Sequence, residues 1–135
     1  MTRDTYLFDT SALLTLIEDE DGADRVQALL TEEQVLIPWS ALMEVYYITL
    51  QERRQAEADQ RYALIKLLPA TILWNVEEAV LLTAGNLKAR YRLSFADALV
   101  AAFAAQHKAI LLHKDPEFEP LADQVTLEAL PYKKH

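Results

Sequence analysis

The chain has no cysteine. Disulfides, thiolate nucleophiles and cysteine-based zinc sites are therefore excluded. It has two glycines, Gly22 and Gly85, so a phosphate-cradling P-loop and a glycine-rich dinucleotide turn are excluded as well. Positive charge is scarce, with 13 Lys and Arg against 21 Asp and Glu, a net charge of −8 and a pI near 4.8. That balance argues against nonspecific nucleic-acid binding through a basic surface. It leaves room for a nuclease, because carboxylates gathered at a metal site raise the negative count and a divalent ion returns positive charge locally. No apolar run is long enough to span a bilayer, and the start MTRDTYLFDT lacks the apolar stretch of a signal peptide. The expectation is a cytoplasmic protein with no membrane partner.

About half of the 135 residues are hydrophobic, 52%, enough for one core and one domain over 1–135. Short apolar segments at 5–9, 34–38, 71–74 and 109–112 read as buried strands, with a further edge strand within 124–130. Helical spacing separates them: from Thr10, over 23–31, from Ser40 to about Arg54, over 56–68, over 76–92, and from Ser94. Alternating strands and helices predict a three-layer α/β/α sandwich with a mostly parallel sheet of four to five strands. Ligands of such sheets bind beyond the carboxyl ends of the strands, where the strand order reverses.

Three acids interrupt apolar stretches. Asp9 is the only charged residue between Asp4 and Glu18, Glu44 between Glu33 and Glu52, and Asp97 between Arg92 and Lys108. An ionised carboxylate in an apolar site is costly unless something offsets it. Each acid also has a plain structural role to set against a chemical one. Asp9 can cap the helix that follows it, although Thr10 and Ser11 are equally competent caps. Asp97 stands three residues after Ser94, the spacing of a capping box. Glu44 has no cap to serve; it lies a full turn inside its helix, and its bland reading is a stem reaching solvent.

Asp115, in the charged loop HKDPEFE, would pass for a turn residue but for the fourth strand just before it. With Asp9 ending the first strand, both acids belong at one sheet edge. Ser11 is the candidate supporting hydroxyl and Glu117 a reserve ligand. His107 and His113 have no partner histidine at metal-binding spacing. Oxygen donors without sulfur or clustered histidine select Mg²⁺ or Mn²⁺ rather than zinc. A hard cation among carboxylates suits phosphodiester hydrolysis. Lys114, Arg53, Arg54, Lys88, Arg90 and Arg92 are candidate contacts to a nucleic-acid backbone, with His113 a further candidate for phosphate.

YLFDTSALL at 6–14, IPWSALMEV at 37–45, YRLSFADALVAAFA at 91–104 and LLHKDPEF at 111–118, in this order, resemble the PIN-domain ribonucleases and, within them, the VapC-type toxins of toxin–antitoxin pairs. The resemblance implies an acidic quartet falling on Asp9, Glu44, Asp97 and Asp115, both catalytic and metal-binding. It also implies Mg²⁺- or Mn²⁺-dependent cleavage of single-stranded RNA, a homodimer, and an antitoxin protein covering the active-site groove. The chain departs from the family pattern at His113, where a threonine or serine often stands. Two other readings remain: a non-catalytic PIN-like module that binds RNA or metal, and a phosphatase with Asp9 as nucleophile. Against the phosphatase, Ser11 occupies the position where such enzymes usually carry a second acid.

Overall fold

The structure is a computed structural model and describes residues 3–134. Five short strands, β1 (Thr5–Phe8), β2 (Gln34–Pro38), β3 (Thr71–Leu73), β4 (Ile110–His113) and β5 (Leu127–Ala129), form one sheet in the order β3-β2-β1-β4-β5. Every neighbouring pair is parallel. Helices α1 (Thr10–Ile17), α2 (Ala23–Glu32), α3 (Trp39–Glu52), α4 (Gln55–Lys66), α5 (Glu78–Arg90) and α6 (Phe95–Gln106) connect the strands, and a 3₁₀ helix, Pro116–Leu121, follows β4. The α/β/α sandwich expected from the alternating pattern is the observed architecture, with an all-parallel sheet.

The two-residue period of the strands sorts side chains between the layers. Leu7, Leu36 and Leu111 face a core shared with α5, α6 and the 3₁₀ helix. Tyr6, Phe8, Val35, Ile37 and Leu112 face the opposite way, against apolar residues of α1 to α4. Because both faces are covered, the inner strands read as unbroken apolar runs rather than alternating ones. Helix α6 is buried continuously from Ala98 to Ala104, with the sheet on one side and α5 on the other. That is why its sequence carries so few polar residues after Asp97.

Two local expectations change. Ser40 does not cap α3; the helix begins at Trp39 after Pro38, and Ser40 is buried inside the first turn, its Oγ without a hydrogen-bond partner. The turn before α2 is less free than its charge suggests. Gly22 holds φ +103°, and a Cβ there would lie 3.1 Å from Pro131 Cδ and 3.2 Å from Leu130 Cδ2. The close approach pins the chain after β5 against the α1–α2 turn. Among the described residues, no helix is long and apolar enough to cross a membrane.

Central β1 has β2 on one side and β4 on the other, so the strand order reverses there. The crevice beyond its carboxyl end is where this topology places a ligand. The packing generates a stability prediction. Phe103 is 1% exposed, and Phe103→Ala lowers stability by about 3–5 kcal/mol. The measurement is a lower urea midpoint at unchanged slope, with Gln51→Ala, on the solvent side of α3, shifting it by less than about 0.5 kcal/mol.

Candidate active site

Asp9 leaves β1 as the N-cap of α1. Its Oδ1 accepts the Ala12 N–H at 2.8 Å, and Ser11 Oγ lies 2.7 and 2.8 Å from its two oxygens. Neither Thr10 nor Ser11 takes the cap. Ser11 Oγ also accepts the Lys114 N–H at 2.8 Å, and the Asp9 N–H donates to Leu112 O at 3.2 Å. One serine therefore joins the ends of β1 and β4. Asp9 is 4% exposed. Burial pushes its carboxyl up to about 7, past the opposing effect of the Ser11 and Ala12 hydrogen bonds, and the nearby Asp97 and Asp115 add to the rise.

Asp97 sits in the first turn of α6, where Ser94 Oγ accepts its N–H at 3.0 Å. The reciprocal bond of a capping box, from the Ser94 N–H to the Asp97 carboxylate, is not formed among the described residues. The carboxylate is free of that duty. Burial raises it to about 6, reinforced by Asp115, Glu44 and Glu117 and past the opposing effect of the Ser94 hydroxyl. Asp115 caps the 3₁₀ helix and accepts the Glu117 N–H at 2.9 Å. One carboxylate oxygen from each of Asp97, Asp115 and Glu117 lies within 4.8 Å of the others. Glu44, half-buried on α3, accepts from Thr10 Oγ1 at 2.7 Å and from Tyr47 Oη at 3.2 Å. Tyr47 is raised by burial first, then by Glu44 and Asp97.

The tight cluster thus holds Asp97, Asp115 and Glu117, whereas Asp9 and Glu44 stand outside it, Asp9 near enough to feel Asp97 and Asp115 and Glu44 near enough to raise Asp97. Three helical N-termini carry acids here: Asp9 at α1, Asp97 at α6 and Asp115 at the 3₁₀ helix. Their free N–H groups favour negative charge, yet burial still wins at Asp9 and Asp97. A site of hard oxygen donors with raised proton affinity suits a hard divalent cation, and the residues present fit one. Two contributors escape the sequence reading. Thr10 registers there only as a competent cap, and Tyr47 does not register at all. The i, i+3 spacing from Glu44 to Tyr47 is a usable signal, whereas the Thr10–Glu44 contact joins elements 34 positions apart.

Two predicted substrate contacts do not hold. His113 is fully buried, so it does not meet a phosphate. Its Nδ1 accepts the Asp115 N–H at 3.1 Å, a bond that a neutral imidazole can make, and burial lowers its proton affinity. His113 thereby holds the backbone of the Asp115 loop. The Lys114 side chain is 4% exposed; its Nζ donates to Asp21 O at 2.7 Å and lies 3.6 Å from Glu20. It is committed to the α1–α2 turn. Arg53 is also engaged, with Glu57 at 3.5 Å and Glu18 at 3.8 Å.

The raised acids give a definite sign to the pH dependence. In the metal-free protein, the folded state keeps protons on Asp9 and Asp97 that the unfolded chain releases above its ordinary value of 3.8. Stability therefore falls as pH rises from about 4 to about 7 and is flat with respect to these groups below that window. Thermal melts should show a lower Tm at pH 8 than at pH 6. Asp9→Asn should reduce this difference and raise the Tm at pH 8, and Mn²⁺ should stabilise the wild type more than the variant.

A family model for the PIN domain matches residues 6–124, a span that includes all four acids. Comparison with curated proteins finds no match. Among solved structures, a chain of the VapBC2 complex of Rickettsia felis bound to promoter DNA has a TM-score of 0.78 at 15% identity, covering 94% of this chain and 99% of that one. A toxin–antitoxin complex from Klebsiella pneumoniae gives 0.70 at 21% identity, covering 95% and 99%. VapC20 of Mycobacterium tuberculosis, a sarcin–ricin-loop-cleaving toxin, gives 0.72 at 16% identity, covering 93% and 99%. At these identities the structures speak for the fold. With the family model spanning nearly the whole chain and the acids gathered at the switch point of a parallel sheet, this protein belongs to the PIN-domain family.

Proposed function

We propose that residues 1–135 form one PIN-like domain that works in the cytoplasm as a metal-dependent endoribonuclease, hydrolysing phosphodiester bonds in single-stranded RNA as the toxin of a toxin–antitoxin pair. The observation that carries this reading is the cluster of Asp97, Asp115 and Glu117 beside the buried Asp9, at the carboxyl edge of the sheet. Similarity to a VapC toxin that cleaves the sarcin–ricin loop, and to toxin–antitoxin complexes, supports the substrate class and an antitoxin partner.

Asp9, Glu44, Asp97 and Asp115 are the residues that would hold Mg²⁺ or Mn²⁺, with Glu117 and Ser11 in support. Such an ion supplies an acidified water and neutralises charge on the phosphate. The protein's own part is to fix the acids before substrate arrives. Ser11 and the Ala12 N–H lock the Asp9 carboxylate. Thr10 and Tyr47 each donate to one oxygen of Glu44, and His113 braces the Asp115 loop. Partners of this kind orient metal ligands and commonly matter 10–100-fold.

Two features support protein partners, a second copy and an antitoxin segment. Leu81 and Leu82 are 59% and 62% exposed on α5, and Phe95 is 77% exposed at the start of α6. An apolar groove of about 490 Å³ runs between these helices and Trp39. Against the phosphatase reading, the position two residues after Asp9 carries Ser11, whose hydroxyl is hydrogen-bonded to Asp9, rather than a second acid.

Purified protein should cut a mixture of single-stranded RNAs in the presence of Mn²⁺ or Mg²⁺. Asp9→Asn and Asp97→Asn should each lower the rate by more than about 100-fold, beyond the usual effect of an outer partner. A chelator should abolish cutting, and added metal should restore it. Variants that cut like wild type, or activity that survives chelation, would sink the proposal, and a wild type that binds RNA or metal without cutting would favour the non-catalytic module.

A further inference from the structure

Beside the acidic site lies a cavity of about 550 Å³, within the range that small-molecule sites occupy. Ser11 and Asp115 line it on the side of the acids, Leu14 and Pro116 give apolar walls, and Tyr132, Glu18 and the Glu20 ion pairs with Lys114 and Lys133 line the rest. It is continuous with the proposed catalytic centre, because Asp115 and Ser11 belong to both.

Tyr132 is 36% exposed, yet the chain that carries it is anchored. The Leu130 N–H donates to His113 O at 2.7 Å, and Leu130 and Pro131 pack against Gly22. The Tyr132 ring lies 6.2 Å from the imidazole of His113, which in turn packs edge-on against Phe118 at 5.2 Å. The result is an aromatic surface held in place on the wall of a partly apolar cavity that Asp115 also lines. Proteins that read single-stranded RNA splay out a base, stack it on such a ring and pair with its edge.

The charges on the cavity wall narrow the choice of base. Glu20 is neutralised by Lys133 at 3.0 Å and Lys114 at 3.6 Å. Glu18 is held only at arm's length, by Arg53 at 3.8 Å and Arg61 at 3.9 Å. An ionised carboxylate accepts and does not donate. The base edge that meets two carboxylate oxygens is the one with two adjacent N–H donors, on the ring nitrogen and the 2-amino group of guanine. Lys133, which also lines the cavity and lies near enough to Glu18 to feel its charge, is a donor suited to the guanine carbonyl on the same edge.

We propose that this cavity is a base-binding subsite for the substrate RNA, with Tyr132 as the stacking surface and Glu18 as the residue that selects guanine next to the cut phosphate. The proposal rests on the ribonuclease reading for its ligand, and its test separates the two. In the first arm, guanosine 5′-monophosphate is titrated into the wild type, Tyr132→Ala and Glu18→Gln, followed by NMR of the Tyr132 ring and the Glu18 backbone. Wild type should show saturable shifts at both positions, weaker with adenosine, cytidine and uridine monophosphates. Tyr132→Ala should weaken binding about 5- to 150-fold, the range for loss of one stacked base.

In the second arm, short RNAs that differ at one position are cut in Mn²⁺. Wild type should prefer guanosine beside the cut site, and inosine, which lacks the 2-amino group, should reduce kcat/KM about tenfold. Glu18→Gln should erase the difference between guanosine and inosine. Cutting without base preference, together with no shift at Tyr132, overturns the subsite and leaves the nuclease reading standing. Guanosine monophosphate bound at Tyr132 by a protein that cuts no RNA keeps the subsite and overturns the nuclease reading. Thermal melts of each variant separate loss of fold from loss of binding.

Discussion

Everything at this site turns on holding carboxylates where water is scarce. Removing a carboxylate from water costs free energy that must be offset locally. At Asp9 the offset comes from the first turn of α1 and from Ser11, and it is incomplete, since burial still raises the carboxyl to about 7. Asp97 and Asp115 lie close enough to add repulsion. The remaining deficit is what a divalent cation in the crevice would offset. The fold tolerates it because Asp9, Asp97 and Asp115 sit at helix N-termini, where backbone N–H groups point toward negative charge.

Ser11 is the joint between this electrostatic arrangement and the sheet. Its hydroxyl donates to Asp9 at the end of β1 and accepts from Lys114 just beyond β4. The two strands that bracket the switch point thus share one side chain, and the spacing of their acids follows from it. His113 does similar work one step further along, because its Nδ1 takes the Asp115 N–H. A threonine or serine there would offer a small oxygen; the imidazole offers an acceptor nitrogen and a ring that fills the space against Phe118 and Tyr132. The departure from the family pattern changes the packing beneath the loop while supplying an acceptor to it.

Much of this was legible from the chain itself, and for stated reasons. The short apolar runs define parallel strands because a strand covered on both faces has no polar side to show. Asp9, Glu44 and Asp97 stand out because charge inside an apolar stretch demands an explanation. Asp115 and Glu117 do not stand out, because a charged loop hides a ligand among solvated neighbours. Lys114 and His113 mislead for a related reason: a cation or an imidazole beside a ligand suggests a substrate contact, yet both side chains turn inward, to Asp21 and beneath the Asp115 loop.

The sequence by itself determined the elements, the layers and the oxygen-donor character of the site, since these follow from periodicity, from the missing cysteines and glycines, and from isolated charge. Tertiary structure alone decided which groups meet. Thr10 reaches Glu44 across 34 positions and Ser11 reaches Lys114 across 103, contacts that no local spacing encodes. The half-formed capping box at Ser94 is likewise decided in space: Asp97 shares its crevice with Asp115, Glu44 and Glu117, whose negative charge raises its proton affinity above that of an ordinary cap residue.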